Sequence, residues 1–137
     1  MQVNRCLEDE QMDHIDHALG RPVDPLAVTH RNRFVIDPDA PEAPHFRTSD
    51  HWEFWGPIPG GLLCFHVTEA GREALRDHLK EIGDKNRLWA VYWCGLRVEK
   101  VAESRGQARY RAWLDASDTD PDLTFKDFQA ASSVRLA

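Results

Sequence analysis

Between residues 37 and 61 the chain places five of its eight prolines, Pro38, Pro41, Pro44, Pro57 and Pro59, and closes the stretch with Gly60-Gly61. Each proline lacks an N–H and holds its predecessor away from helical backbone, so neither a long helix nor a central strand fits. Only the proline-free window 45–56 has room for regular structure. There the spacing predicts a short helix, DHWEFW, capped by Ser49 and closed by Gly56. Four aromatic residues, Phe46, Trp52, Phe54 and Trp55, fall in the same window. That much ring surface is costly to leave in water, so the segment reads as an ordered loop around a helical turn. Trp52 and Trp55 read first as core, and second as the loop-borne anchors that protein interfaces use.

The flanks are more regular. Residues 8–19 (EDEQMDHIDHAL) place Met12, Ile15 and Leu19 on one stripe, with acids in the first turn and a Gly20-Arg21-Pro22 stop, which predicts a helix. Leu62–Val67 reads as a strand. Thr68 then caps a helix whose buried stripe is Gly71, Leu75, Leu79 and Ile82, ended by Gly83. Leu88–Val101 reads as one long strand, covered on both faces as far as Cys94 and bent or bulged at Gly95. Ser104 and Gln107 have capping-box spacing and open a helix to about residue 117, with Tyr110, Trp113, Leu114 and Ser117 on one face. Thr124 starts a shorter helix, with Leu123 positioned to staple onto Phe128. The alternating tail Ser133–Leu136 predicts an edge strand.

Composition excludes several classes. Three cysteines without close spacing do not make a disulfide framework or a zinc knuckle. Cys64 and Cys94 lie in apolar runs and read as small buried hydrophobes, in keeping with an intracellular, cytoplasmic protein. No apolar run approaches the roughly 20 residues of a membrane-spanning helix, and MQVNRCLEDE is not a secretory leader. There is no G-x-S-x-G elbow and no glycine-rich phosphate loop, so the reading is of a non-enzyme without cofactor. In the patch D-H-I-D-H, His14 and His17 are one helical turn apart, but further ligands with matching spacing are missing, so no metal is expected. Both histidines are expected on the solvent face, opposite the apolar stripe.

Two stretches carry a resemblance. LCFHVTEAGREAL resembles the strand, Thr-x-x-Gly and final helix that close winged-helix domains. With HALG and RNRFV before it, it also resembles the first half of small phage and prophage proteins of unknown function. The second half, with AESRGQARYRAWLDASDTDPDLTFKDF and a VRLA end, is similar to another short phage-encoded module. The resemblance implies an α+β chain with a winged-helix-like half over residues 1–83, packed on a βααβ half over 84–137, as two small units or around one shared core. It also implies a protein that binds a host protein or complex and modulates or inhibits it, including in an anti-CRISPR-like way. The alternative is a winged-helix transcriptional regulator touching DNA through Arg31, Arg33 and Arg47. Against it, the place of a recognition helix holds DHWEFW, with two acids and no cation.

Charge separates these readings. The net charge of −6 is uneven: residues 1–83 carry 8 Lys+Arg against 15 Asp+Glu, net −7, and residues 84–137 carry 9 against 8, net +1. The acid excess sits in the half that would otherwise suggest DNA, which favours a protein partner over nucleic acid. Glu10, Asp13, Asp16 and His17 on the first helix are the expected acidic contact face, together with Trp52 and Trp55.

Overall fold

A computed structural model describes residues 2–137, which form two compact units, Gln2–Asp84 and Lys85–Ala137. The chain mixes helices with two small antiparallel sheets, an α+β arrangement.

In the first unit, helix α1 (Glu10–Ala18) begins where the Asp9 carboxylate accepts the Met12 N–H at 3.1 Å. Strand β1 (Phe34–Ile36), helix α2 (Ala43–Thr48), strand β2 (Trp52–Pro57), strand β3 (Leu63–Val67) and helix α3 (Glu69–Glu81) follow. The sheet order is β1-β3-β2, so the apolar β3 is central and the proline-bounded β2 lies at an edge, where a missing N–H costs least. Thr68 caps α3 by accepting the Gly71 N–H at 3.2 Å, and its own hydroxyl donates to the Asp50 carbonyl at 2.6 Å. The core gathers Ile15, Leu19, Phe46, Trp52, Phe65, Leu75 and Leu79.

Two expectations for this unit are corrected. DHWEFW is not a helix. The helical turn ends at Thr48, with Ser49 at its C-terminal end, and the tryptophans lie on β2. Pro44 at the start of α2 explains the shift, since a proline suits a first turn better than an interior. Ile82 is exposed, because α3 ends one residue before it. The six-residue α2 occupies the place before the β2–β3 hairpin.

The second unit consists of strand β4 (Arg87–Trp93), strand β5 (Leu96–Ala102), helix α4 (Arg105–Thr119), helix α5 (Phe125–Ala131) and strand β6 (Ser133–Leu136), with sheet order β5-β4-β6. The expected long strand is a hairpin, which makes the order ββααβ in place of βααβ. The chain reverses at Cys94-Gly95, whose φ angles of 50° and 74° give the two left-handed residues of a tight turn. Cys94 is therefore exposed at a turn tip, against expectation, while Cys64 is buried. Ser104 accepts the Gln107 N–H at 3.1 Å, and Gln107 reaches back to the Glu103 N–H at 2.8 Å. α4 packs through Ala108, Ala112 and Ala116, leaving Tyr110 and Leu114 exposed. Small alanines let the helix approach the sheet, and Trp113 packs half-buried against the same core. Phe128 and Leu123 meet in this core, with Val91 and Val134.

Candidate protein-binding surface

The edge strand β2 presents the chain's most exposed tryptophan. Trp52 and Phe54 pair with Val67 and Phe65 of β3 and point to the core side. Trp52 is buried, with its ring 4.6 Å from Phe46 and 5.7 Å from Phe34. Phe54 keeps a contact with Phe65 at 5.4 Å but is 48% exposed, and the Arg47 guanidinium lies 5.6 Å from its ring centre. Between Phe54 and Gly56 the register slips, so Trp55 stands in a bulge. Its indole stacks on His66 of β3, with ring centres 4.3 Å apart and planes 20° apart, and remains 63% exposed. The sheet edge thus offers two aromatic rings, each held in place by another side chain. The bulge re-aims the second.

This geometry separates the two tryptophans, one into the core and one to the surface. It also brings in Phe54 and His66, which sequence reasoning did not single out. A polar His66 interrupting the apolar run LLCFHV was the available signal for an outward position. The partner of that histidine lies across a strand pair and has no local trace.

The acidic face of α1 is corrected. Glu10 and His17 are exposed, but Asp16 is 0% exposed and Asp13 is half-buried. Asp16 receives Arg5 at 2.6 and 3.0 Å and Arg21 at 3.0 Å, and Arg21 also reaches Asp13 at 2.6 Å. The Arg21 hydrogen bond holds the Asp13 carboxyl below the usual range. Near the end of α1 the backbone turns left-handed at Gly20 and Arg21, with φ 79° and 51°. That turn folds the Arg21 side chain back over the helix, where it consumes the acids. His14 is not on an open face either: its ring lies 4.9 Å from Phe34 and 5.7 Å from Phe46. Partial desolvation of its ring, which lies 6.1 Å from that of Phe34, and then Arg31 and Arg21 lower the pKa of His17. Among the described residues no three His, Cys, Asp or Glu side chains are placed to hold a metal ion.

The three cations proposed for DNA are each held differently. The Arg31 guanidinium lies 3.3 Å from the His17 ring nitrogen and that of Arg47 lies over Phe54, whereas Arg33 is tied through its backbone N–H, which donates to the Ala18 carbonyl at 3.1 Å.

No family model, curated protein or solved structure matches the chain. Among the described residues no helix is long and apolar enough to cross a membrane.

Proposed function

We propose that this chain is a non-catalytic, phage-type binding protein that docks on a host protein through β2 and alters that protein's activity. The observation that carries the reading is Trp55, held by the His66 stack and left 63% exposed on an edge strand. A large ring fixed before contact loses little conformational entropy on binding, which is why such residues anchor interfaces. The phage-type role rests on the sequence resemblance. The net charge of −7 over residues 1–83 supports a partner with a basic rim around an apolar pocket. The same charge disfavours DNA.

The test is affinity capture from a plausible host, comparing the protein with Trp55→Ala. Loss of a captured partner with unchanged far-ultraviolet circular dichroism supports the reading, since Trp55 lies outside the core. Retention of the partner by the variant overturns it. So does a salt-sensitive mobility shift of random duplex DNA that depends on Arg31, Arg33 and Arg47.

A further inference from the structure

Strand β5 is an edge strand with an unusual set of exposed groups. It pairs with β4 through seven consecutive residues, closed by Trp93 opposite Leu96 across the two-residue turn. In such a hairpin the closing pair exchanges backbone hydrogen bonds, and the pattern then alternates. Leu96, Val98 and Lys100 therefore bond to β4, while Arg97, Glu99 and Val101 turn their N–H and C=O groups to the open edge. The Val101 carbonyl accepts a hydrogen bond from Arg111 of α4. The free part of the edge is thus short and centred on Val98.

The side chains on the helix-facing side of this edge are apolar and uncovered. Leu96 is 62% exposed and Val98 41%. They border a cleft of about 250 Å³ between the sheet and α4, whose walls include Val91, Trp93, Ala112 and Phe128. Lys100 and Asp115 form an ion pair beside it. On the other face, Arg97 pairs with Glu99 of its own strand at 2.6 Å, both side chains being substantially exposed.

We propose that β5 is a self-association edge, through which two copies of this chain join their β5 strands antiparallel about a two-fold axis at Val98. The charge pattern selects both the occupant and the register. Centred on Val98, the pairing sets Arg97 of each copy opposite Glu99 of the other, and Val98 opposite itself. Shifting the centre to Arg97 or to Glu99 places like charges face to face, which destabilises a pair. The open N–H and C=O groups of Arg97 and Glu99 meet their counterparts in the same register, giving four hydrogen bonds. Leu96 and Val98 lose water on the cleft side. Edges that stay monomeric are commonly blocked by charges of one sign or by proline, and this one alternates in sign and has neither. The resulting six-stranded sheet has the isologous symmetry of most homodimers. The proposal does not depend on the role assigned to β2.

The experiment is sedimentation equilibrium of the full chain at several concentrations, with three variants. The parent protein is expected to show a concentration-dependent dimer. R97E and E99R each replace two attractive pairs by two repulsive ones and are expected to weaken dimerisation at least about tenfold. The double variant R97E/E99R exchanges the charges and is expected to restore the parent affinity. Far-ultraviolet circular dichroism shows whether each variant is folded, and Val98→Lys, which sets two lysines face to face, is a second way to break the edge. A parent protein that stays monomeric at all concentrations overturns the proposal. So does a double variant that stays as dissociated as the single ones, or a dimer that Val98→Lys leaves intact.

Discussion

Asp16 sits fully buried, with Arg5 donating to both of its carboxylate oxygens and Arg21 sharing one of them. Removing one member of a buried ion cluster leaves its partners desolvated and unpaired, which costs about 3–5 kcal/mol. Asp16→Ala is therefore expected to lower the denaturant midpoint severely, whereas Glu10→Ala, at an exposed site, is expected to change stability by less than about 0.5 kcal/mol. Equal effects of the two would contradict the buried network. Reversing the charge of Asp16 consequently tests folding and not docking. His17 adds a pH dependence. Its folded-state pKa is lowered from 6.5, chiefly by partial desolvation and then by Arg31, so the unfolded chain binds the proton more readily. Stability is full above about pH 6.5 and is lost as pH falls through the lowered folded value. Asp13 acts in the same direction further down: its stabilisation is present above its ordinary value of 3.8 and disappears as pH falls through the depressed one. Urea midpoints measured between pH 7 and 5 are expected to fall for the parent and to fall less for His17→Gln. Parallel curves would remove His17 as the cause.

At the scale of single elements, the entry to α3 leaves no room for a side chain at Gly71. A Cβ on Gly71 would lie 2.6 Å from the His51 carbonyl oxygen and 2.7 Å from Val67 Cγ1. Alanine has the better helix propensity by about 1 kcal/mol, so the propensity gain opposes the clash. Because the carbonyl is backbone, the helix must shift, and overpacking of this kind costs about 1–3 kcal/mol. Gly71→Ala is expected to be net destabilising in thermal melts; a raised melting temperature would show that the helix entry yields. The Thr68 and Gly71 pair was legible in the sequence, as were the caps at Ser104 and Thr124, because capping is written in residues three or four apart; Asp9 was read as a first-turn acid and is the cap of α1. What stayed hidden depends on longer distances. DHWEFW has enough charge and aromatic spacing for a helical turn, but pairing with β3 makes it a strand, and that pairing partner begins after a proline-glycine loop. The hairpin at Cys94-Gly95 was hidden because cysteine is not a usual turn residue, although Gly95 marked the place. For the candidate site, Trp55 was visible as a residue. Its exposure was not, since a one-residue bulge decides it. Asp16 misled for the converse reason: a helical wheel shows which way a side chain leaves α1, but not that Arg5 and Arg21 fold over it.

Across the whole molecule, the hydrophobic cores belong to separate parts of the chain. One draws every member from Leu7 to Leu79, the other from Trp89 to Val134. Among the described residues each cluster is drawn from its own segment, so each unit has its own apolar burial to lose. The second is the smaller, and a core in so short a chain supplies only about 3–5 kcal/mol. Phe128 is its largest buried side chain, packed with Val91 and Val134 and 5.4 Å from the Trp93 ring. Phe→Ala in a core costs about 3–5 kcal/mol, which equals nearly all the stability available there. Phe128→Ala is expected to unfold Lys85–Ala137 while Gln2–Asp84 persists. Hydrogen exchange of the full chain reads this directly: amides of β4, β5 and α4 should lose protection, and amides of β3 and α3 should keep theirs. Loss of protection in both sets together would mean that the two cores unfold as one cooperative unit. Protection retained in both would mean that α5 contributes far less to its core than the burial of Phe128 requires.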